Sequence, residues 1–438
     1  MPPRIPATMA LAAAIVLSFV GATRQRAVRP IAVIAPTFSK EVVRIFQENC
    51  QTCHRPGDVG PFSLLTYADA APHAAAIKFA TQNRQMPPWK PVSGCGDFLG
   101  ERRLTAEQIE TIARWADAGA PEGDRAQLPS PIDFTSGWTL GDPDLTLANA
   151  EAYTPPATGD MYRCFTIPAN QTAGRWVRAI DIHPGDRETV HHVIAFIDST
   201  GESATLDEKE AGPGYQCFGG PGFSNPGTLG GWAPGYRALE LPSDVAFHLP
   251  ANARIVLQVH YHPHHGAPEP DTTEIAIYWS KQQPKQEMRI LPLVNQTFTL
   301  PPNDSHYKVT SAFTVPFFVS AKLWLVAPHM HLLGRSMKVD MTLPDGGNVC
   351  LINIDDWDFN WQGMYRFRDP IPVPALTRLS LTAFYDNSAS NWRNPNIPPK
   401  PVSWGEATTD EMCIAFLGIT IDGEDLTKNL RADTSWLK

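Results

Sequence analysis

The run RIVLQVHY at residues 254–261 is rich in the β-branched and aromatic side chains that favour strands. A second short, alternating run is AKLWLV at residues 321–326. From about Gly141 onward, such runs are separated by Gly, Pro, Asn and Asp, which favour turns. Many short strands with turn signals predict β-sandwich or jelly-roll architecture. Nearly 300 residues exceed what one sandwich needs, so we expect two all-β, jelly-roll-like sandwiches at residues 141–290 and 291–438.

The residues before this β region carry helical patterns. Apolar residues at positions 42–46 predict a buried helical face, and the helix runs into a pair of cysteines. Further along, Thr105 and Gln108 have the spacing of a capping box, followed by apolar residues with a 3.6-residue period. We therefore expect a small all-α domain at residues 36–125 and a Pro-rich linker at residues 126–140.

The first residues are typical of an export signal. Arg4 precedes an apolar run at residues 10–20, and the small residues Gly21 and Ala22 follow it. We expect residues 1–22 to be a cleaved signal peptide, which predicts a periplasmic or extracellular protein without stable membrane insertion. An uncleaved anchor is the alternative, but the apolar run is short for a membrane span of about 20 residues.

The composition narrows the classes of partner and the number of disulfides. A net charge of -9 gives no reason to expect binding to nucleic acid, which would need a basic face, so we predict none. The chain has 42 prolines, which disfavour long helices and suit strands punctuated by turns. It also has 7 cysteines, and an oxidising compartment would permit disulfides among those that no cofactor uses.

The run CQTCH at residues 50–54 is the CxxCH motif that attaches c-type haem. Cys50 and Cys53 have the spacing to form thioethers with the two vinyl groups, and His54 follows at the position that binds iron. Half a zinc site is the alternative, but the next residues offer only His73 as a further ligand. We predict one covalently bound haem c, with Met86 as the sixth ligand and His73 as its competitor.

Histidines and a methionine in the β region predict metal binding. Six such residues stand out: His191, His192, His260, His329, His331 and Met412. Imidazole suits copper, zinc, iron or nickel, whereas a thioether selects for copper, especially Cu(I). Taken singly, each motif fits a hydrogen-bonded or surface histidine, and adjacent histidines on a strand point to opposite faces. The order and context of all six together favour metal ligands.

The region from about residue 140 to 430 resembles the copper type II, ascorbate-dependent monooxygenases, which include peptidylglycine α-hydroxylating monooxygenase and dopamine β-hydroxylase. The resemblance lies in an ordered set: a His-His pair, the LQVHY strand, an HxH followed by Leu-Gly, and DEMC. It implies two tandem jelly-roll-like domains with one copper each. The electron-supplying copper would be bound by His191, His192 and His260. The copper at which oxygen is activated would be bound by His329, His331 and Met412.

The resemblance extends to residues around these ligands. It implies that Gln258 supports the first copper site, that Tyr162 is an aromatic residue near it, and that Cys164 and Cys217 form a disulfide. Cys413 lacks its usual partner position, so the sequence leaves it either free or bonded to Cys350.

Three positions depart from the peptide-amidating members of that family. An arginine that grips a peptide carboxylate is replaced here by Ala327, and an asparagine and a tyrosine are replaced by Ile414 and Phe416. These departures disfavour a peptide C-terminus as the substrate.

The resemblance implies a copper-dependent monooxygenase that hydroxylates a C–H bond of a small-molecule or peptide-like substrate with O2. Covalent tethering raises the effective concentration of a donor to the millimolar range. We therefore expect the haem to pass electrons to the first copper, with a redox donor protein or ascorbate as their source. The alternative is an exported electron-transfer or copper-binding protein without monooxygenase activity. A haem peroxidase is disfavoured, because iron capped by methionine has no open position.

Overall fold

A computed structural model of the protein describes residues 35–437, apart from residues 57, 135–136, 219, 225–226, 235, 237, 263–267 and 406. The predicted signal peptide lies outside the described residues. Within them, a few helices near the N-terminus precede a large all-β region of several sheets, as the sequence predicts. None of the helices in this part of the chain is long and apolar enough to cross a membrane.

The helical region packs around a few large aromatic rings. Its helices are α1 (Val43–Asn49), which continues a π-helical turn at Phe38–Val42, then α2 (Tyr67–Ala70), α3 (Ala74–Gln82) and α4 (Ala106–Asp117), with 3-10 turns at Ala71–His73 and Arg125–Gln127. Trp115 of α4 is fully buried and meets Phe46 of α1 edge-on at 6.1 Å. The predicted capping box is confirmed, because the Thr105 and Gln108 side chains each accept a hydrogen bond from the other's backbone N–H.

The first part of the β region contains two sheets. Its strands are β1 (Leu145–Ala148), β2 (Met161–Pro168), β3 (Arg175–His183), β4 (Val190–Asp198), β5 (Tyr215–Gln216), β6 (Gly227–Trp232), β7 (Leu239–Glu240), β8 (Val245–Leu249), β9 (Arg254–Tyr261), β10 (Glu274–Trp279) and β11 (Gln286–Glu287). A short helix, α5 (Glu202–Asp207), follows β4. One sheet has the order β1-β10-β3-β8-β11, with β7 also paired to β3, and the other has the order β5-β2-β9-β4-β6.

The second part of the β region contains three sheets. Its strands are β12 (Arg289–Val294), β13 (Thr299–Leu300), β14 (Tyr307–Thr314), β15 (Ala321–His329), β16 (Gly334–Thr342), β17 (Asn348–Ile354), β18 (Tyr365–Val373), β19 (Arg378–Tyr385), β20 (Val402–Ser403) and β21 (Ile414–Ile421). Their orders are β12-β21-β15-β18, β14-β19-β16-β17 and β13-β20. Two 3-10 turns follow, at Leu426–Lys428 and Ser435–Leu437.

Each part of the β region has its own hydrophobic core. Ile180 of β3 and Leu257 of β9 belong to the first core, which therefore lies between the two facing sheets. Leu323 of β15 and Leu381 of β19 belong to the second core in the same way. This is the packing of β-sandwiches, in which inward-facing residues of two sheets meet. The jelly-roll connections and the domain boundaries stay predictions.

One segment of the predicted haem domain joins the second β core. Val92 N–H donates to Asn353 O at 2.8 Å, and Phe98 is buried in the second core. A disulfide links Cys95 to Cys350 close to this contact. The segment thus extends the edge of the β region by backbone pairing, and the cross-link fixes it there.

The cysteines resolve two of the predictions made from the sequence. The disulfide between Cys164 and Cys217 is confirmed. Cys413 is buried and takes part in no disulfide, so the alternative bond to Cys350 is wrong, because Cys95 occupies that partner. Two disulfides fit an oxidising compartment such as the periplasm or the extracellular space.

Replacing both Cys95 and Cys350 by Ala should lower the free energy of unfolding by about 2–4 kcal/mol, since the cross-link closes a loop across 255 residues. Urea denaturation followed by tryptophan fluorescence measures this change. Cys413→Ala is the control, because it removes a buried sulfur without removing a cross-link. A loss no larger than that of the control would contradict the prediction.

Candidate metal centre

Three adjacent strands bring together His191, His192 and His260, which form the first histidine set. Tyr162 on β2 lies opposite His260 on β9, and His192 on β4 lies opposite the same His260 from the other side. The pairing of β4 with β9 shifts between Val190 and His192, so His191 is the extra residue of a β-bulge. Regular alternation would send two adjacent histidines to opposite faces. The bulge removes that obstacle, and both imidazoles reach His260.

The geometry of the first set fits a metal ion. His191, His192 and His260 each offer one ligand atom, and these atoms all lie within 4.8 Å of one another. His191 Nδ1 lies 3.1 Å from His192 Nδ1. Two nitrogens about 2.0 Å from one tetrahedral ion would be roughly 3.3 Å apart. Both ring nitrogens of His260 are buried without a hydrogen-bond partner, which is costly, and an ion bound to this ring would engage one of them.

Burial keeps the first set in the form that binds metals. It lowers the pKa of His191 and His192 well below the ordinary histidine value, and the charge of His260 adds to the effect. Burial also lowers the pKa of His260, although the neighbouring Asp160 opposes the change. Neutral imidazoles carry the lone pairs that coordinate a metal, so these rings need not lose a proton before binding.

Asp160 is a further acidic neighbour of this set. Its Oδ1 lies 2.6 Å from His262 Nδ1. The same oxygen lies 3.3 Å from His260 Nε2, but these two atoms are not aligned for a hydrogen bond. The hydrogen bond to Asp160 raises the pKa of His262. Asp160, His260 and His262 also lie close enough together to hold an ion. Asp160 thus provides negative charge beside the first histidine set.

Two other predicted residues contact this set or the loop beside it. The Tyr162 ring stacks on the His260 ring at 4.1 Å with an interplanar angle of 6°. The Gln258 amide donates to Cys217 O at 2.9 Å, which connects β9 to the disulfide between Cys164 and Cys217. Gln258 therefore braces the disulfide loop, and its predicted support of a copper site stays a prediction.

The second histidine set consists of His329 and His331 and lies at the end of β15. His329 is the last residue of the strand, Met330 is buried in the core, and His331 follows, with the two imidazole centroids 5.1 Å apart. His329 Nδ1 contacts Gln362 Oε1, and His331 Nδ1 lies 3.2 Å from Asp410 O. With both Nδ1 atoms engaged, the Nε2 atoms are the ones left to bind a metal. Burial lowers the pKa of His329 to about 4 and that of His331 to about 3.

Glu411 ties the methionine to this pair. Its Oε2 accepts hydrogen bonds from the backbone N–H groups of His331 at 2.9 Å and Met412 at 3.1 Å. Burial raises the pKa of the Glu411 carboxyl to about 8. Tyr385 holds the same loop, because its hydroxyl donates to Met412 O at 2.7 Å. The backbone of the buried Met412 is thus fixed beside that of His331, and a thioether with two imidazoles would be a donor set that suits copper.

The ring of Phe359 contacts one histidine of each set. Phe359 stacks on His191 at 4.6 Å with an interplanar angle of 14°, and it meets the His331 ring edge-on at 6.0 Å. The charge of His260 also lowers the pKa of His329, after the larger effect of burial. The two sets are therefore neighbours across an apolar contact.

The structure also adds residues that the sequence did not reveal. These are Asp160, Phe359, Gln362 and Glu411. The register of β2 and β9 could have indicated Asp160. Met161 pairs with Tyr261 in antiparallel strands, so Asp160 and His262, the next residues outward, lie opposite each other. Glu411 adjoins a predicted ligand, but its bonds to another loop are visible only in three dimensions. No local pattern marks Phe359 or Gln362.

The CxxCH motif forms a compact turn whose two cysteines are outside any disulfide. Cys50 and Cys53 take part in no disulfide, and His54 N–H donates to Cys50 O at 3.0 Å in the turn that joins them. His54 Nδ1 lies 3.1 Å from Phe62 O, which leaves Nε2 as the nitrogen for iron. A Cβ on Gly60 would lie 2.7 Å from Cys53 O, so only glycine permits this close approach.

The two candidates for the sixth haem ligand are placed differently. The His73 ring stacks on Phe62 at 3.9 Å, and Phe62 lies 5.0 Å from the His54 ring. Met86 follows α3, and its backbone N–H donates to Ala80 O at 3.2 Å. These contacts do not decide between the two residues, so the assignment of Met86 as the sixth haem ligand stays a prediction.

Comparison with known proteins identifies the helical region. Residues 39–98 match the family described as cytochrome C oxidase, cbb3-type, subunit III. The protein therefore has an N-terminal cytochrome c domain, as the sequence predicted, and this domain fits haem-based electron transfer.

Matches to solved structures have low scores. PNGF-II is 10% identical with a TM-score of 0.29, and the match covers 63% of this chain and 65% of that chain, less than two thirds of it. PNGase F from Flavobacterium meningosepticum is 12% identical with a TM-score of 0.24, covering 64% and 96%. The major capsid protein P2 of bacteriophage PM2 is 10% identical with a TM-score of 0.26, covering 66% and 100%. These scores are too low to assign a shared fold.

His260→Ala should remove one bound metal ion per chain, because His260 is common to both groupings at the first site. Copper titration followed by elemental analysis of the desalted protein measures the stoichiometry. His248→Ala is the matched control, since this half-buried histidine lies on β8 of the other sheet. An unchanged stoichiometry in His260→Ala would contradict the assignment.

Proposed function

We propose that this protein is an exported copper-dependent monooxygenase that receives electrons through its cytochrome c domain. The first histidine set lies close enough together to hold one ion, and the neighbouring rings of His329 and His331 with Met412 support a second, so we propose two copper ions. The CxxCH motif supports one haem c. The resemblance of the β region to copper type II monooxygenases supports the activity, and it extends to jelly-roll-like sandwiches. The substrate is a small-molecule or peptide-like compound that is hydroxylated at a C–H bond with O2.

One ion pair carries the proposal of electron transfer. Arg187 Nη1 lies 3.4 Å from Asp58 Oδ2, and Arg55 Nη2 lies 3.0 Å from the same oxygen. Asp58 follows His54 of the haem motif by four residues, and Arg187 precedes His191 of the first metal set by four residues. The haem-binding loop therefore touches the turn that leads into the first metal set.

The side chains of the two sets suit different roles in the proposed reaction. Copper bound at these sites would supply one-electron transfer at the first set and oxygen reduction at the second set. The three neutral imidazoles of the first set are held on paired strands, so they can keep one geometry in both oxidation states. Met412 favours the reduced ion at the second set. Phe359 keeps the space between the two sets apolar.

The source of electrons is proposed to be a redox donor protein or ascorbate. A tethered haem whose binding loop also contacts the turn before the first histidine set would not depend on diffusion to deliver each electron. The surface near His54 would then receive electrons from the donor.

A second candidate is an exported electron-transfer or copper-binding protein without monooxygenase activity. The observation that favours it is the cytochrome c domain itself, which already fits electron transfer. In that case the copper sites would store or relay electrons, and no oxygenated product would form.

Asp58→Asn should slow reoxidation of the reduced haem by the copper-loaded protein by up to about fivefold, because the haem-binding loop loses its ion pair with Arg187, and a partly exposed pair contributes about 0–1 kcal/mol. Stopped-flow absorbance of the haem under O2 and substrate measures the rate. The control is Asp117→Asn, which removes another ion pair of the helical region, the one with Lys78. If reduced wild-type haem is not reoxidised at all, the proposed electron transfer is wrong.

Met412→Ile should abolish hydroxylation while leaving the haem spectrum unchanged, because the second set loses its thioether and keeps both imidazoles. Oxygen uptake against candidate substrates and mass spectrometry for a product that has gained one oxygen measure the activity. If the protein only stores or relays electrons, wild-type protein gives no such product, and the substitution changes copper retention alone.

A further inference from the structure

A cavity of about 420 Å³ lies where the segment at residues 88–102 meets both parts of the β region. Its walls come from four places in the chain: the segment itself, Thr139 and Leu140, the described residues of the stretch 231–240, and the stretch at residues 361–366. This volume is large enough for a small organic molecule. The inference drawn from it goes beyond the proposed function, because binding there requires neither metal nor turnover.

The charges around the cavity are mainly positive. Among the described residues that line it, Arg102 and Arg366 are positive, and the one acidic residue, Glu240, is paired with Arg178. Burial lowers the pKa of Arg366, which indicates a cost of desolvating its charge, although the charge of Glu240 opposes the change and Arg366 Nη1 donates to Glu240 O. An anion entering the cavity would offset that cost by pairing with the guanidinium groups.

Aromatic rings form much of the remaining wall. The Trp89 ring meets the Tyr365 ring edge-on at 5.5 Å, and Tyr236 and Trp361 line the same space. Burial raises the pKa of Tyr236 and Tyr365, and the nearby charge of Arg102 opposes the rise in both. Both phenols therefore stay protonated and can donate hydrogen bonds near Arg102. Trp89 Nε1 is a third donor, buried without a hydrogen-bond partner.

The cavity also reaches the second histidine set. Gln362 lines the cavity, and its Oε1 contacts His329 Nδ1. A molecule in the cavity would thus lie one side chain away from a predicted metal ligand. Through Gln362, the cavity is therefore adjacent to the candidate metal centre.

We propose that this cavity is a binding site for a small organic anion with an aromatic or apolar body. The acidic group lies towards Arg102 and Arg366, and the body packs against Trp89, Tyr236 and Trp361. The segment at residues 88–102 therefore provides both a wall of the site and one of its charges. The helical region thus has a role in ligand binding as well as in carrying haem.

The test compares three ligands of one shape on metal-free, full-length protein. Isothermal titration calorimetry with 4-phenylbutyrate, 4-phenylbutan-1-ol and 4-phenylbutylamine separates the anion from its neutral and cationic analogues. The anion should bind at least about tenfold more tightly than the alcohol, and the amine should not bind. Equal binding of the anion and the alcohol would overturn the proposal.

Two variants locate the site. Arg102→Gln should weaken binding of 4-phenylbutyrate by about tenfold or more, whereas Arg102→Lys should retain part of the affinity. Ala238→Phe keeps both guanidinium groups but fills the cavity, so it should also prevent binding. Arg368→Gln is the control, since this exposed arginine pairs with Asp97 outside the cavity lining. Unchanged affinity in Ala238→Phe would show that the anion binds elsewhere and overturn the assignment.

Because no metal is present, failure of this test leaves the proposed monooxygenase untouched. Conversely, a protein that binds the anion but gives no oxygenated product would support the cavity and contradict the proposed function. Circular dichroism of each variant shows whether its fold is kept. For a variant that fails to fold, the comparison of the three ligands on wild-type protein still decides the chemistry of the site.

Discussion

The first histidine set depends on one extra residue in β4, at the point where this strand pairs with β9. Without the bulge at His191, the alternation of a regular strand would turn one of two adjacent imidazoles away from His260. The bulge is held because the residues after it return to register along the strand, where Val193 lies opposite Val259. A local irregularity is therefore stabilised by the regular, buried sheet around it.

The second set is built by a different constraint. Its ligands come from the end of β15 and from the loop before β21, which are far apart in the sequence. One buried carboxyl, Glu411, accepts backbone N–H groups from both sides and so fixes their relative position. Burying this group is costly, as its raised pKa of about 8 shows, but its hydrogen bonds replace those lost from water. Phe359 then places this set beside the first one.

Much of the fold and many site residues could be predicted from local patterns. The capping box at Thr105, the CxxCH motif and the strand that contains His260 each depend on neighbours a few residues away. The contacts of Asp58 with Arg187 and of Cys95 with Cys350 join distant parts of the chain, so no local pattern could reveal them. The six predicted ligands were recognised as a set only through family resemblance, since each motif alone fits an ordinary histidine or methionine.

The contacts of the helical region change how its role is understood. A haem domain on a flexible linker would raise the effective concentration of the donor, but it would not fix the distance over which an electron moves. Here the segment containing Cys95 pairs with the β region, and Asp58 meets Arg187 beside the first histidine set. These two contacts hold the helical region at separate points and restrict its rotation. The haem motif is thereby held near the turn that leads into β4, the strand that carries His191 and His192.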